Sequence, residues 1–460
     1  MLAGLPVVAF AQQAAAGKAA SPITMTQAVE SSLKNYPSIR VSQEEMNAAA
    51  AAIQLARTAY LPKADALAQM NRATRNNVFG LLFPQSVIPS MSGPVIGSNN
   101  LGSVWGSAVG VLVTWEPFDF GLRESNVDVA KAAKTHSEAV VKRTQFDVAV
   151  AAADAYVTLV AAEETVRAAQ GGVDQAEATV KVTDAQVNAE LRPGADQSRA
   201  EAELAAARTE LIQAQQAVSI AKATLAQFTG GEPSQMMVES GRLVQLPPVA
   251  APAALNPAAN PIALEQNAVV EQARAQLRLL ERSYFPRFYL QGAAYGRGTG
   301  AELDGGRLDG LNGLAPNVQD YALGFTVTFP ILDLPAIHAK EAQQSATIRA
   351  QNAKAEQIAV DLRAQWNRAL AALDGARRVT ENTQVQVAAA KAATQQATAR
   401  YEAGLGTIDQ VAEAQRLLTQ ADIDDALARL SVWRGLLAIA TAAGDLRPFL
   451  VEAGRTGVHQ

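Results

Sequence analysis

From residue 348 to residue 401, small or apolar side chains recur every three and four positions: Ile348, Asn352, Ala355, Ala359, Leu362, Trp366, Ala369, Leu373, Ala376, Thr380, Thr383, Val387, Ala390, Thr394, Ala397 and Tyr401. Among them Asn352 alone is strongly polar, so the spacing predicts one helix over 335–403 with a sustained seven-residue seam. At about 1.5 Å per residue, roughly 70 residues reach about 105 Å, too long for the core of a compact domain. Most seam positions carry Ala or Thr, which lets neighbouring helices approach closely. Gly404 and Gly406 then permit a tight reversal. A second seam, from Val148 through Leu159, Val173 and Thr183 to Val187, predicts a helix over 121–190, with a bend expected at Gly171-Gly172. A turn at Leu191-Arg192-Pro193-Gly194 leads into a further helix over 195–229.

The period changes from seven to two after two matching boundaries, Tyr60-Leu61-Pro62-Lys63 and Tyr284-Phe285-Pro286-Arg287. Each proline ends a helical stretch (25–60, broken near Pro37, and 262–284) and starts an extended one. Strands are expected at 62–75, 105–117, 286–298 and 319–331. Between the members of each pair lies a loop rich in Gly, Pro, Ser and Asn, at 76–103 and 299–317. The chain therefore carries one plan twice, over 24–230 and over 262–444, where the long helix at 335–403 is followed by one at 407–443. A Pro-rich link at 231–261, with Pro233, Pro247, Pro248, Pro252, Pro257 and Pro261, reads as an irregular belt outside the bundle. Residues 445–460 read as a C-terminal tail. The helices at 25–60 and 195–230, stacked end to end, would match one long helix.

The strand pattern points to lipid. Trp105, Ser107, Val109, Val111, Val113 and Trp115 share one face, opposite small and polar residues, and Tyr321, Leu323, Phe325, Val327 and Phe329 repeat this. Trp105 and Trp115 stand ten residues apart, about 33 Å along a strand and about 25 Å of height after a tilt near 40°. That is the apolar band of an outer-membrane barrel with aromatic residues at both interfaces, for which Trp105, Trp115, Tyr321 and Phe329 are the candidates. Four strands neither close a barrel nor hide their edges. Three copies, making twelve strands, form the smallest assembly expected to leave an open lumen.

Composition narrows the class further. Charged residues make up 18 % and aromatics 5 % of the chain, as in long packed helices. A net charge of −5 without a basic run argues against nucleic acid as partner. There is no cysteine, which removes disulfides and cysteine metal sites. No run of eighteen apolar residues is present, so no membrane-spanning helix is expected. Leu2 to Phe10 is apolar and Ala9-Phe10-Ala11 fits a small-x-small cleavage pattern, so 1–11 reads as the remnant of a secretory signal.

The order helix, strand, loop, strand, long helix, turn, helix, given twice, resembles the TolC-like outer-membrane factors of multidrug efflux and type I secretion. Residues 23–29 with Asn35-Tyr36-Pro37-Ser38-Ile39 look like that family's opening. Arg400-Tyr401-Glu402-Ala403-Gly404-Leu405 followed by Asp409-Gln410-Val411-Ala412-Glu413 looks like its second tip, whereas in the first tip Glu190 stands where glycine is usual. The resemblance implies a mainly α fold with β. In it a trimeric 12-stranded transmembrane β-barrel, four strands per protomer, continues into a long periplasmic α-helical barrel. It also implies a homotrimer in the outer membrane of a Gram-negative bacterium, working with a periplasmic adaptor and an inner-membrane pump of the RND or ABC type. Acidic constriction residues are implied at Asp196 and Glu413, with Asp409 one position from a further expected acid where this chain has Gln410. Leu191, Arg400, Gly404 and Leu405, at the turns, become candidates for adaptor and pump docking.

Catalytic chemistry is not expected. His136, His338 and His459 are scattered without metal-ligand spacing. Gly296-Arg297-Gly298-Thr299-Gly300 lacks the final glycine and following helix of a phosphate loop, and no Ser/His/Asp arrangement stands out. No metal site and no cofactor is expected. The alternative to a passive exit duct is a structural coiled-coil periplasmic protein such as an adaptor, which would lack the two aromatic-flanked strand pairs.

Overall fold

The computed structural model describes residues 22–74, 102–248, 254–302 and 306–455. The signal remnant expected at 1–11, nearly all of the loop at 76–103, and residues 456–460 of the tail lie outside them. The helices are α1 (Met25–Asn35), α2 (Pro37–Arg57), α3 (Leu122–Asn188), α4 (Gly194–Thr229), α5 (Pro261–Arg282), α6 (Leu334–Glu402), α7 (Ile408–Ala443) and α8 (Arg447–Ala453). The strands are β1 (Lys63–Thr74), β2 (Ser103–Phe118), β3 (Arg287–Thr299) and β4 (Val318–Thr328). The described residues fall into two compact units, one from Gln43–Ala139 and Glu265–Ala355, the other from the stretches before, between and after these.

The first of these units holds one antiparallel sheet of order β1-β2-β3-β4. Pro117 has no amide hydrogen to donate, and the β2–β3 register shifts between Trp115 and Phe118. Gly110 faces Tyr295, and a Cβ at 110 would lie 2.3 Å from the tyrosine Cβ and 2.7 Å from Ala294 O; this glycine permits the close approach of β3.

In the other unit the core gathers Tyr156, Leu159 and Val160 of α3, Leu225 of α4, Trp433 and Leu437 of α7, Met25 and Val29 of α1, and Phe449 of α8. Within the link at 231–261, Met236 and Leu243 are buried against this core. Tyr156 Oη lies 2.9 Å from Ile23 O and 2.7 Å from Glu239 O, and Trp433 Nε1 donates to Gln245 O at 2.9 Å. Burial pushes the Tyr156 hydroxyl well above its ordinary pKa. In the tail expected at 445–460, Leu446, Phe449 and Ala453 enter the same core, and Glu452 pairs with Arg242 at 2.6 Å. α3 and α7 each contain a window long and apolar enough to cross a membrane, yet 56 % of each window is buried within the chain. They are core helices.

All sixteen α6 seam positions are buried or half-buried. α3 runs through Gly171-Gly172 without interruption of the helix. Gly172 permits close packing, because a Cβ there would stand 2.7 Å from Thr419 Oγ1 of α7. The end-to-end stack needs revision. α4 ends at Gly230 in the left-handed conformation (φ 79°), where Asn35 Nδ2 donates to Thr229 O at 2.9 Å, just before α2 begins. α7 ends at Gly444 (φ 77°), where Asn260 Nδ2 donates to Ala442 O at 3.0 Å, just before α5 begins. The same asparagine clamp therefore caps the returning helix of each repeat. α1 is a separate element that packs beside α4, with the Tyr36 and Phe228 ring centroids 5.2 Å apart.

Candidate functional site

Two regions carry the sequence-derived candidates: the sheet and the helical turns. On one face of the sheet Val109, Val111, Val113 and Trp115 of β2 and Tyr321, Leu323, Phe325 and Val327 of β4 are exposed, Tyr321 by 83 % and Leu323 by 81 %. The alternate positions are mostly small or polar, apart from Val104, Leu112 and Val318, and carry ion pairs. Arg287 makes a two-pronged contact to Glu116 (2.9 and 2.9 Å), and Arg297 lies 3.2 Å from Asp320. This is the arrangement of a sheet that shows lipid its apolar face and water its polar one.

Of the four aromatic candidates, Trp105 is half-buried, with the Arg72 guanidinium 5.4 Å from its ring centroid. Trp115 is exposed and donates from Nε1 to Tyr60 O at 3.1 Å. Tyr321 shares a ladder row with Ala294 and Val111. Phe329 lies one residue past the end of β4 and is exposed. Sequence reasoning missed a cluster at the helical end of β2 and β3, where Phe118, Phe120, Phe285 and Phe288 pack with ring centroids 4.6 to 6.1 Å apart. The phenylalanines beside Pro117 and Pro286 were the available signal.

The turns are built alike. The Leu191 amide donates to Gln186 O at 2.9 Å and the Leu405 amide to Arg400 O at 2.8 Å. The Glu190 amide donates to Val187 O and the Gly404 amide to Tyr401 O. Each is a helix end closed by a left-handed residue, Glu190 at φ 60° in one and Gly404 at φ 77° in the other. The leucine that follows is 74 % exposed in both. Arg400 is exposed, and its Nη2 reaches Leu405 O at 3.5 Å.

Arg192, which sequence reasoning passed over, ties the two turns together. Its Nη2 donates to Tyr401 O at 3.0 Å and to Gly406 O at 3.2 Å, and its guanidinium carbon stands 4.6 Å from the Tyr401 ring centroid. Tyr401 is buried, and its hydroxyl donates to Asp196 Oδ2 at 3.3 Å. Asp409 and Glu413 lie at the ends of a line of alternating charge across α4 and α7. Asp409 meets Arg199 at 3.2 Å, Arg199 meets Glu203 at 3.0 Å, Glu203 meets Arg416 at 3.9 Å, and Arg416 meets Glu413 at 2.7 Å. The structure thus brings Asp409 and Glu413 into one network and gives Asp196 a different partner. Gln410 is turned back, its Oε1 accepting from the Thr407 amide at 3.4 Å.

The outer membrane efflux protein family model matches residues 28–231 and 258–445, one segment for each repeat. Comparison with curated proteins gives no match. Among solved structures, the fold is similar to the CmeC outer membrane channel of Campylobacter jejuni (16 % identity, 91 % of this chain and 85 % of that one, TM-score 0.72). It is also similar to the open-state MtrE outer membrane channel of Neisseria gonorrhoeae (19 %, 92 % and 89 %, TM-score 0.66). The outer membrane protein VceC of Vibrio cholerae gives 17 %, 92 % and 96 %, with a TM-score of 0.68. With both repeats matched and the fold shared along its length, the chain belongs to the outer membrane efflux protein family.

Proposed function

We propose that three copies of this chain form a passive exit duct through the outer membrane, fed by an inner-membrane pump of the RND or ABC type through a periplasmic adaptor. The observation that carries the reading is the sheet. Among the described residues β1 and β4 each have one neighbour, while an apolar face stands exposed beside them. In a bilayer every strand edge must be paired, and three such sheets close into twelve strands. Trp105, Trp115, Tyr321 and Phe329 then form the aromatic belts.

Within this reading Asp196, Asp409 and Glu413 line the periplasmic constriction. Three copies turn each inward carboxylate into a ring that concentrates cations in a narrow mouth. The resting state keeps the Arg192 clamp and the Arg199–Glu203–Arg416 line intact, and adaptor and pump contacts bias the ends outward. Planar-bilayer recording tests this: Glu413→Ala combined with Asp196→Ala lowers cation-over-anion permeability and relieves block by multivalent cations added on the tip side. Unchanged selectivity and block would remove these carboxylates from the aperture.

Docking is assigned to Leu191, Arg400, Gly404 and Leu405. Nothing lies within 4 Å of a Cβ built at Gly404, so a side chain there would project outward, where a docking hairpin would meet it. Gly404→Trp is expected to abolish export with the trimer yield unchanged, whereas Gly404→Asn, a residue that tolerates the left-handed conformation, retains both. Loss of the trimer in Gly404→Trp would reduce the glycine to a turn-former.

A further inference from the structure

Beyond the sheet, the apolar segment that follows β4 is left uncovered. The alternation of exposed apolar positions along β4, from Tyr321 to Val327, continues past the strand end to Phe329 and Ile331. Leu332 follows, 93 % exposed. The segment is set by backbone geometry: the Ile331 amide donates to Phe329 O at 2.9 Å and the Asp333 amide to Pro330 O at 3.1 Å, a single tight turn immediately before α6. The matching segment of the first repeat is different. There Phe118 and Phe120 follow Pro117, and Phe120 packs on both Phe118 and Phe285, so that much of its apolar surface is covered within the chain. Among the described residues Ile331 and Leu332 of the second repeat stay exposed, following directly on the apolar face of β4.

We propose that Ile331 and Leu332 form an interfacial anchor that inserts into the acyl region of the phospholipids in the periplasmic leaflet, next to the barrel wall. This rests on the proposed lipid contact of the β4 face, which it extends beyond the strand. The occupant follows from continuity: exposed apolar residues two and three places beyond Phe329, at the helical end of the sheet, meet the leaflet on the periplasmic side. Apolar side chains held at that level by a proline-started turn bury their surface in the acyl region while the adjacent Asp333 stays in water. The first repeat anchors by its packed ring cluster instead, so the two junctions of each protomer meet the membrane unequally.

The chain has no cysteine, so a nitroxide can be placed at one chosen position. The full-length trimer, reconstituted in vesicles of phosphatidylethanolamine and phosphatidylglycerol, is labelled at Leu332→Cys and, separately, at Leu323→Cys on the strand face. Collision of each label with oxygen, enriched in the acyl region, is compared with collision with a water-soluble nickel chelate. The anchor predicts oxygen dominance at both positions, with Leu332 nearer the surface than Leu323. Oxygen dominance at Leu323 with chelate dominance at Leu332 overturns the anchor alone. A motionally restricted label at Leu332, reached by neither reagent, overturns it in favour of cover by a neighbouring protomer. Chelate dominance at Leu323 overturns the lipid contact of the sheet, and the anchor with it.

Discussion

Glu190 occupies a conformation that suits glycine. Its φ of 60° costs a residue with a Cβ roughly 1 kcal/mol or more, and the other turn meets the same demand with Gly404. Glu190→Gly is therefore expected to stabilise the helical hairpin of the first repeat by about 1 kcal/mol, less the entropy glycine gains in the unfolded chain. Thermal unfolding followed by circular dichroism reads the effect, and a lower midpoint would contradict it. The departure at 190 was legible in the sequence through the family resemblance, in which glycine is usual at that place in the tip. Arg192 was not, because its partners Tyr401 and Gly406 stand 209 and 214 residues away and no local pattern announces such a contact.

At the scale of elements, helix seams were the most legible feature, and small residues within them the least. Period seven says that α3 faces a neighbour, but not that Gly172 meets Thr419 side chain to backbone. Gly172→Ala is expected to destabilise the native chain, since the new methyl group would crowd Thr419 Oγ1 at 2.7 Å and Cγ2 at 3.2 Å. In a Thr419→Ala background only the Cβ contact at 3.5 Å remains, an ordinary van der Waals distance. The same substitution then becomes neutral or stabilising, because alanine is the better helix former by up to about 1 kcal/mol. Equal losses in both backgrounds would refute the contact. Asp422 of α7 gives a pH prediction. Burial first, then the neighbouring Asp425, raises its carboxyl pKa, against the opposing pull of Lys391 and Arg429. A raised folded pKa favours the protonated folded form, so its contribution is most favourable below the ordinary value of 3.8 and is lost as pH rises through the folded value. Asp422→Asn should therefore raise stability at neutral pH and confer no advantage below that ordinary value, as measured by denaturant midpoints at the two pH values.

At the scale of the whole molecule the repeat was the informative signal. Two prolines at matching helix-to-strand boundaries, Pro62 and Pro286, and two strand pairs of the same period announced four strands per chain, and the sheet holds four in chain order. The roles of 231–261 and 445–455 escaped sequence reading because Pro-rich or short segments carry no period, although Met236, Leu243 and Phe449 are buried in the core. In the proposed duct, β1 of one copy closes against β4 of the next until three copies have made a barrel. The most direct test uses Ala66→Cys on β1 and Leu323→Cys on β4, exposed positions of the two edge strands, in outer membranes treated with a flexible bis-maleimide. A closed trimer gives bands of one, two and three chains on a denaturing gel, ending at three, with neither single variant advancing beyond two. A ladder that stops at two or continues past three would contradict it.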